Sequence, residues 1–168
     1  MRSLATLVLG LAVAAWSVPA RAEVVVSFEH PEVWTDAALH GGHGSRARQP
    51  AMDGLRQHLE RLGTRYLRPG QTLKVEVLDV DLAGRFEPWR PFASDVRIML
   101  AVTWPRIKLR YSLEEGGAVR SAATETIVDQ NYLSHAGGYF ASDSLRYEKA
   151  MLDDWFRARF VERRAARQ

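Results

Sequence analysis

The sequence predicts an α+β domain, a two-layer sandwich in which two amphipathic helices cover one face of a mainly antiparallel sheet of four to five strands. Two patterns indicate this fold. Apolar and polar residues alternate through the middle of the chain, as in half-buried strands. In two other segments apolar residues recur at spacings of three and four, as in helices. The order is strand, helix, several strands, helix, and no internal repeat is visible.

A strand and a helix come first. Residues 24–28 are rich in valine, which favours a strand. Residues 31–50 contain proline and clustered glycines, so we expect a flexible loop there. Pro50 can open a helix at its first turn. Gly54 and Gly63 each weaken this helix by about 1 kcal/mol relative to alanine, so packing must hold it in place. Its apolar stripe consists of Met52, Leu55, Leu59, Leu62 and Tyr66.

The second strand changes its apolar face part-way along. Up to Val77 the odd-numbered positions are apolar, and afterwards Leu78, Val80 and Leu82 are apolar instead. Because successive strand residues point to opposite faces, this inversion predicts a bulge or a change in what covers the strand.

The later strands surround Pro105, which cannot donate a ladder hydrogen bond. Residues 96–104 alternate before it and residues 107–113 after it, which predicts two strands or one bent strand. The sequence Glu-Glu-Gly-Gly at residues 114–117 is typical of a hairpin turn and leads to a return strand over residues 119–128.

A second amphipathic helix ends the chain. Asp143 or Ser144 can cap its start. Its apolar face is rich in aromatic residues and consists of Leu145, Met151, Leu152, Trp155, Phe156 and Phe160.

Residues 1–22 have the layout of a secretory signal peptide. Arg2 precedes an apolar run over residues 4–16, and Ala20 and Ala22 form a small-x-small cleavage pattern. The run of about 13 residues is shorter than the roughly 20 needed to span a bilayer. We therefore expect cleavage after Ala22 and export to the periplasm or beyond. The alternative is an N-terminal membrane anchor.

The remaining residues 23–168 suit one α+β domain. The leader contains two arginines and no acid, so removing it lowers the formal net charge from +3 to +1. The chain has no cysteine, so we expect no disulfide. No later segment is apolar enough to predict a transmembrane helix.

Five arginines lie in the basic C-terminal end, residues 157–168. By its charge this end can contact phosphate-bearing lipid or nucleic acid, or it can be a solvated helix end that complements the helix dipole. No basic strand face interleaved with aromatic residues is visible, so nucleic acid is not expected as a partner.

Several stretches of the chain carry a family resemblance. They are PEVWTD (31–36), LRPGQTL (67–73), VLDVDLAG (77–84), FEPW (86–89), PRIKLRY (105–111), LRYEK (145–149) and LDDWF (152–156). Together they resemble a bacterial family of exported proteins, domain of unknown function 3016, over nearly all of the chain after the leader. The resemblance implies an envelope location. It carries over no activity, cofactor or catalytic residue.

Asp79 and Asp81 are the first candidate site. On one strand face they lie about 7 Å apart, a spacing at which two carboxylates can share a divalent cation or divide acid and base roles. Glu87 can join them across the turn at Gly84. The structural alternative is that they accept hydrogen bonds or pair with arginines near the strand end. Examples of such arginines are Arg85, Arg90 and Arg97.

Two further groups are candidates for binding. His40 and His43 lie three residues apart in a glycine-rich loop and can bind zinc or copper, or they can be free surface histidines. An aromatic group interleaved with prolines can line a groove for a peptide, sugar or acyl chain, or it can close an open end of the core. This group consists of Phe86, Trp89, Phe92 and Trp104.

The sequence contains no nucleophile elbow, zinc-protease helix, phosphate-binding glycine loop or cysteine nucleophile. These observations favour a non-catalytic exported domain, without a cofactor, that binds an envelope protein or a small ligand. A carboxylate-based envelope hydrolase, with or without a metal, is the first alternative. A protein held to the envelope surface by its C-terminal arginines is the second.

Overall fold

A mixed four-stranded sheet is the centre of the fold in this computed structural model, which describes residues 21–41, 44–89, 92, 94–134 and 142–162. The sheet strands are β1 (Glu23–Phe28), β2 (Gln71–Asp81), β5 (Arg106–Glu115) and β6 (Ala118–Val128), and a separate ribbon consists of β3 (Arg85–Phe86) and β4 (Arg97–Ile98). The helices are α1 (Ser45–Tyr66) and α2 (Arg146–Phe156), and a π-helical segment, Arg157–Glu162, continues α2. Short 3₁₀ turns are formed by Pro31–Val33 and Tyr132–Ser134.

The sheet order is β1-β2-β5-β6, with β1 parallel to β2 and the other two pairings antiparallel. The parallel pair is joined through α1, because parallel neighbours need a long crossover connection. The antiparallel pair β5–β6 is joined by a tight turn at Gly116 and Gly117, as the hairpin prediction required. The predicted α+β class is confirmed.

The core lies between the helices and the face of the sheet formed by alternate strand residues. These residues are Leu73, Val75, Val77, Val80, Ile107, Leu109, Tyr111 and Leu113. The helices contribute the residues of the two predicted stripes, including Leu55, Leu59, Leu62, Met151, Leu152, Trp155 and Phe156. On the opposite face, ion pairs join neighbouring strands, including Lys74 with Glu114 and Glu76 with Arg110.

The two glycines of α1 allow the helix to lie close to its neighbours. A Cβ atom placed on Gly63 would lie 2.0 Å from Cγ2 of Val24 in β1. A Cβ atom on Gly54 would lie 2.5 Å from Cδ1 of Leu145. The low helix propensity of glycine is therefore the cost of close packing between α1 and the rest of the domain.

We predict that Gly63→Ala lowers the free energy of unfolding by about 1–3 kcal/mol, because overpacking against the stiff β-branched side chain of Val24 outweighs the gain in helix propensity. Gly54→Ala is the matched control. Its clash is with the end of a leucine side chain, which can rotate, so we expect a smaller loss or none. Urea denaturation of both variants measures the difference. Equal losses would contradict this account of the α1–β1 contact.

The inversion within β2 is a bulge, as the sequence predicts. Val77 pairs with Leu109 and Asp79 with Lys108, so one extra residue lies between these two pairs. The half-buried Leu78 occupies the bulge, whereas Val80 and Leu82 return to the core. The bulge turns Asp79 and Asp81 away from the core at the end of the strand.

The prediction that Pro50 opens the first helix is wrong, because α1 begins at Ser45 and contains Pro50. The flexible loop predicted over residues 31–50 is accordingly shorter, and a 3₁₀ turn lies within it. The first turns of α1 are exposed or half-buried and carry no apolar stripe that marks the start of the helix in the sequence. Pro50 has no N–H to donate, so α1 lacks one hydrogen bond in its first turns.

The strand predicted over residues 96–104 is also wrong. Only Arg97 and Ile98 are extended in a ladder, and they pair with the ribbon strand β3 instead of the main sheet. Val96 and Val102 are exposed, while the side chain of Arg97 is buried. The alternation of apolar residues therefore does not correspond to a buried face in this segment.

The second helix begins slightly later than predicted. Leu145 occupies the N-cap position of α2, and the side chain of Asp143 accepts a hydrogen bond from the Leu145 backbone N–H at 2.8 Å. Asp143 therefore supports the chain just before the helix instead of capping it. Among the described residues, no helix is both long and apolar enough to cross a membrane.

Candidate functional site

The candidate site lies at the edge of the sheet where β2 ends and β5 begins. Asp81, the last residue of β2, is paired in register with Arg106, the first residue of β5. The intervening segment 82–105 carries the β3–β4 ribbon and most of the aromatic residues singled out in the sequence. The antiparallel pairing thus brings the predicted carboxylates and aromatics to one end of the domain.

Asp79 and Asp81 are both held by neighbouring donors. Arg106 Nη2 lies 3.2 Å from Asp81 Oδ2 and 4.0 Å from Asp79 Oδ2. The backbone N–H and the hydroxyl of Thr35 donate to the two oxygens of Asp79 at 2.8 and 2.9 Å. The carboxylates therefore pair with an arginine at a strand end, Arg106, which was not among the arginines named from the sequence, and one of those, Arg90, lies outside the described residues.

Arg97 forms the centre of the site. Its side chain is only 7% exposed, and its Nη2 lies 2.8 Å from Asp36 Oδ2. The same nitrogen donates to the carbonyl oxygen of Ala38 at 2.8 Å, and Nη1 donates to that of Gly84 at 2.8 Å. Longer bonds run from Nη1 to the carbonyl oxygens of Ala83 and Leu82. One guanidinium thus joins the chain before α1 to the turn after β2.

Asp36 is a third carboxylate of the site. Its backbone N–H donates to Val80, and its carbonyl oxygen accepts from Leu82, so that Asp36 lies beside Asp81 in a parallel bridge. Burial raises the pKa of Asp81, and the nearby charges of Asp36 and Asp79 raise it further, whereas Arg106 and Arg97 oppose the shift.

Glu87 forms a separate ion pair. It is buried, and its Oε1 accepts from Arg85 Nε at 3.2 Å and Nη2 at 3.0 Å. The guanidinium of Arg85 also lies 5.9 Å from the ring centroid of Trp89. Glu87 is therefore bound to Arg85 next to the Asp79–Asp81 pair, and Arg85 also contacts the ring of Trp89.

The four aromatic candidates occupy different positions. Trp104 is 36% exposed and lines a pocket, while Trp89 is more exposed and lies against Arg85. Phe86 packs under the Arg97 guanidinium at 4.8 Å, and Phe92 is fully exposed with a positive φ of 63°. Only Trp104 of the four lines the pocket.

The pocket has a volume of about 320 Å³. Two acidic residues, two arginines and a tryptophan are among the residues that line it. The lining residues are Asp36, Asp81, Leu82, Gly84, Arg85, Val102, Thr103, Trp104 and Arg106. We call this the Asp81–Trp104 pocket.

His40, the one histidine candidate among the described residues, does not line this pocket. His40 is exposed, and His43 lies outside the described residues, as do residues 1–20 of the predicted leader. Within the described residues, no group of three or more histidine, aspartate or glutamate side chains is arranged to hold a metal ion.

The C-terminal arginines are described only in part. Arg157 pairs with Asp154, and Arg159 pairs with Glu125 of β6 at 2.8 Å. Residues 163–168, with the other three arginines, lie outside the described residues.

Residues 22–158 match the model of a family described as protein of unknown function (DUF3016). The chain belongs to this family. The family resemblance drawn from the sequence is therefore confirmed. Among curated proteins, none matches this DUF3016 chain. A crystal structure of protein XCC0632 from Xanthomonas campestris, assigned to family DUF330, is similar at 14% identity with a TM-score of 0.40, covering 92% of each chain.

Glu148 is a buried residue that the sequence reasoning missed. Its Oε1 accepts from the Ala83 backbone N–H at 2.7 Å, directly behind the turn that Arg97 holds. Its Oε2 has no hydrogen-bond partner among the described residues. Burial raises the pKa of Glu148 above its usual value. The signal was present in the sequence, because Glu148 lies between Leu145 and Leu152 at helical spacing on the apolar stripe.

His58 is a second missed residue, and it joins the two helices. Its Nε2 lies 3.1 Å from the carbonyl oxygen of Lys149 and 3.1 Å from Asp153 Oδ1. Burial lowers its pKa, although Asp153 opposes the shift. His58 therefore has a structural role away from the Asp81–Trp104 pocket.

We predict that Arg97→Gln lowers the free energy of unfolding by about 1–3 kcal/mol, because it leaves half-buried Asp36 and several buried carbonyl oxygens without their donor. Arg110→Gln is the matched control, since Arg110 pairs with Glu76 on the exposed face of the sheet. Its expected loss is about 0.2–1 kcal/mol. Urea denaturation measures both losses, provided that the m-value is the same for wild type and variants. Similar losses for the two variants would contradict the central role of Arg97.

We predict that Glu148→Gln changes the pH dependence of stability. The raised pKa means that the stability contributed by the protonated carboxyl is complete below the unfolded value of about 4.5 and is lost as pH rises through the folded value. Glutamine keeps an acceptor for Ala83 and does not titrate, so the variant gains stability relative to wild type as pH rises. Denaturation at several pH values from roughly 4 to 8 measures this difference.

The control for this prediction is Glu60→Gln, which changes an exposed glutamate of α1. Because Glu60 is exposed, the stability of this variant relative to wild type is expected to change less across the same pH range than that of Glu148→Gln. A constant difference for Glu148→Gln would contradict the assignment of a raised pKa to Glu148.

Proposed function

We propose that this DUF3016 protein is an exported, non-catalytic binding domain of the bacterial envelope that takes its ligand in the Asp81–Trp104 pocket. Export is supported by the leader pattern of residues 1–22. Binding is supported above all by one observation. An exposed tryptophan and four charged side chains converge on a pocket of about 320 Å³, a size in the range of small-ligand sites.

The state of the carboxylates favours binding over acid–base chemistry. A general base needs a carboxylate oxygen that can reach the proton it removes. Here Asp81 is engaged by Arg106, Asp36 by Arg97, and Asp79 by the N–H and hydroxyl of Thr35. Neighbouring donors therefore hold all three carboxylates, which is the structural alternative weighed for them in the sequence, and of their oxygens only Oδ1 of Asp81 has no donor among the described residues.

Two of the C-terminal arginines are already paired within the domain, which weakens the alternative that they hold the protein to the envelope surface. Arg157 and Arg159 each form an ion pair within the domain. Their charge is partly compensated, so they contribute less to attraction toward an anionic lipid surface. This observation favours the pocket over the C-terminal end as the functional feature.

We predict that the full chain, produced in a bacterial host and recovered from its periplasm, has the mass of residues 23–168 together with a bound ligand. Native mass spectrometry should give an added mass that disappears on denaturation. Trp104→Ala should be processed in the same way and lose most of that added mass. Phe92→Ala is the matched control, because Phe92 is an exposed aromatic of the same segment that does not line the pocket.

Three outcomes would contradict parts of this proposal. Intact Met1 on the periplasmic protein would contradict processing after Ala22. A wild-type protein without added mass would contradict ligand binding. Equal added mass on wild type and Trp104→Ala would place the ligand outside the Asp81–Trp104 pocket.

A further inference from the structure

The charged residues that line the Asp81–Trp104 pocket balance one another. Its lining contains two acidic residues, Asp36 and Asp81, and two arginines, Arg85 and Arg106. An anionic ligand would lie close to two carboxylates, and a cationic ligand would lie close to two guanidinium groups. Like-charge contacts of this kind select against a partner. The lining therefore suits a ligand without net charge.

The same residues offer many hydrogen bonds at short range. A carboxylate provides about four acceptor positions and a guanidinium five donors. The contacts within the site use only part of this capacity. Asp81 meets Arg106 through Oδ2 alone, so its Oδ1 has no donor among the described residues. A ligand with several groups that both donate and accept can complete these bonds.

Trp104 adds a flat apolar surface beside the charges. Its indole is partly exposed, and the exposed Val102 lies in the same lining. An aromatic face attracts the weakly positive hydrogens of an apolar C–H surface. The ligand must therefore combine one apolar face with a rim of neutral hydroxyl groups.

Sugar rings have this combination. We propose that the Asp81–Trp104 pocket binds a neutral saccharide, with one ring stacked on Trp104 and its hydroxyl groups hydrogen-bonded to Asp81 and Arg106. This inference rests on the proposed binding function and names the class of its ligand. The small volume of the pocket fits a single sugar residue or the end of a short chain.

The test uses the exported protein on an immobilised panel of neutral, cationic and anionic saccharides, followed by calorimetry with the strongest binder. Binding confined to neutral members is expected. Trp104→Ala and Arg106→Gln should each weaken binding about tenfold or more, because each removes a contact that the ligand makes. Phe92→Ala should bind like wild type.

Arg110→Gln is the matched control for Arg106→Gln. Both arginines lie on β5 and pair with a carboxylate of β2, but Arg110 lies outside the pocket. If Trp104→Ala fails to fold, as judged by its thermal transition, the comparison of Arg106→Gln with Arg110→Gln is sufficient to test the proposal. Equal weakening by Arg106→Gln and Arg110→Gln would overturn the assignment to this pocket.

The outcomes separate this inference from the proposed function. If native mass spectrometry finds a ligand that Trp104→Ala loses, but the panel gives no neutral binder or favours charged ones, the saccharide is wrong and the binding domain stands. If neither experiment finds a ligand, both fail. Selective neutral binding that depends on Trp104 and Arg106 supports both.

Discussion

The arrangement of the candidate site depends on the buried guanidinium of Arg97. It joins Asp36, which precedes α1, to the backbone of the turn that follows β2, two segments far apart in the sequence. Without this donor, carbonyl oxygens at the end of β2 would be buried without a partner, which is costly in a protein interior. The contact therefore fixes Asp36 and the turn at Gly84, which both line the Asp81–Trp104 pocket.

The sheet and helices were largely predictable because burial on one face imposes a period of two on strands and 3.6 on helices. The stripe of α1, the bulge after Val77 and the β5–β6 hairpin all follow from these periods. The incorrect predictions concern segments in which no single face is buried. The first turns of α1 are exposed, and in residues 96–104 the valines point to solvent while a charged side chain is buried.

The candidate site was predictable only as a set of residue types. The sequence singles out Asp81 and Trp104, and the structure places both at one pocket. The sequence does not reveal which arginine pairs with which carboxylate. That pairing depends on the register of β2 with β5 and on the path of the 82–105 segment. Glu148 was missed for a similar reason, since its role is set by a contact with the backbone of Ala83.

The parallel pairing of β1 with β2 has a consequence for the order in which this chain folds. Glu23 lies beside Thr72, so the pair forms only after a long intervening segment, including α1, has closed into a loop. The β5–β6 hairpin closes across two glycines, Gly116 and Gly117. Since loop-closure entropy must be overcome before distant contacts form, we expect the sheet to nucleate at its C-terminal hairpin and to be completed at the edge by β1.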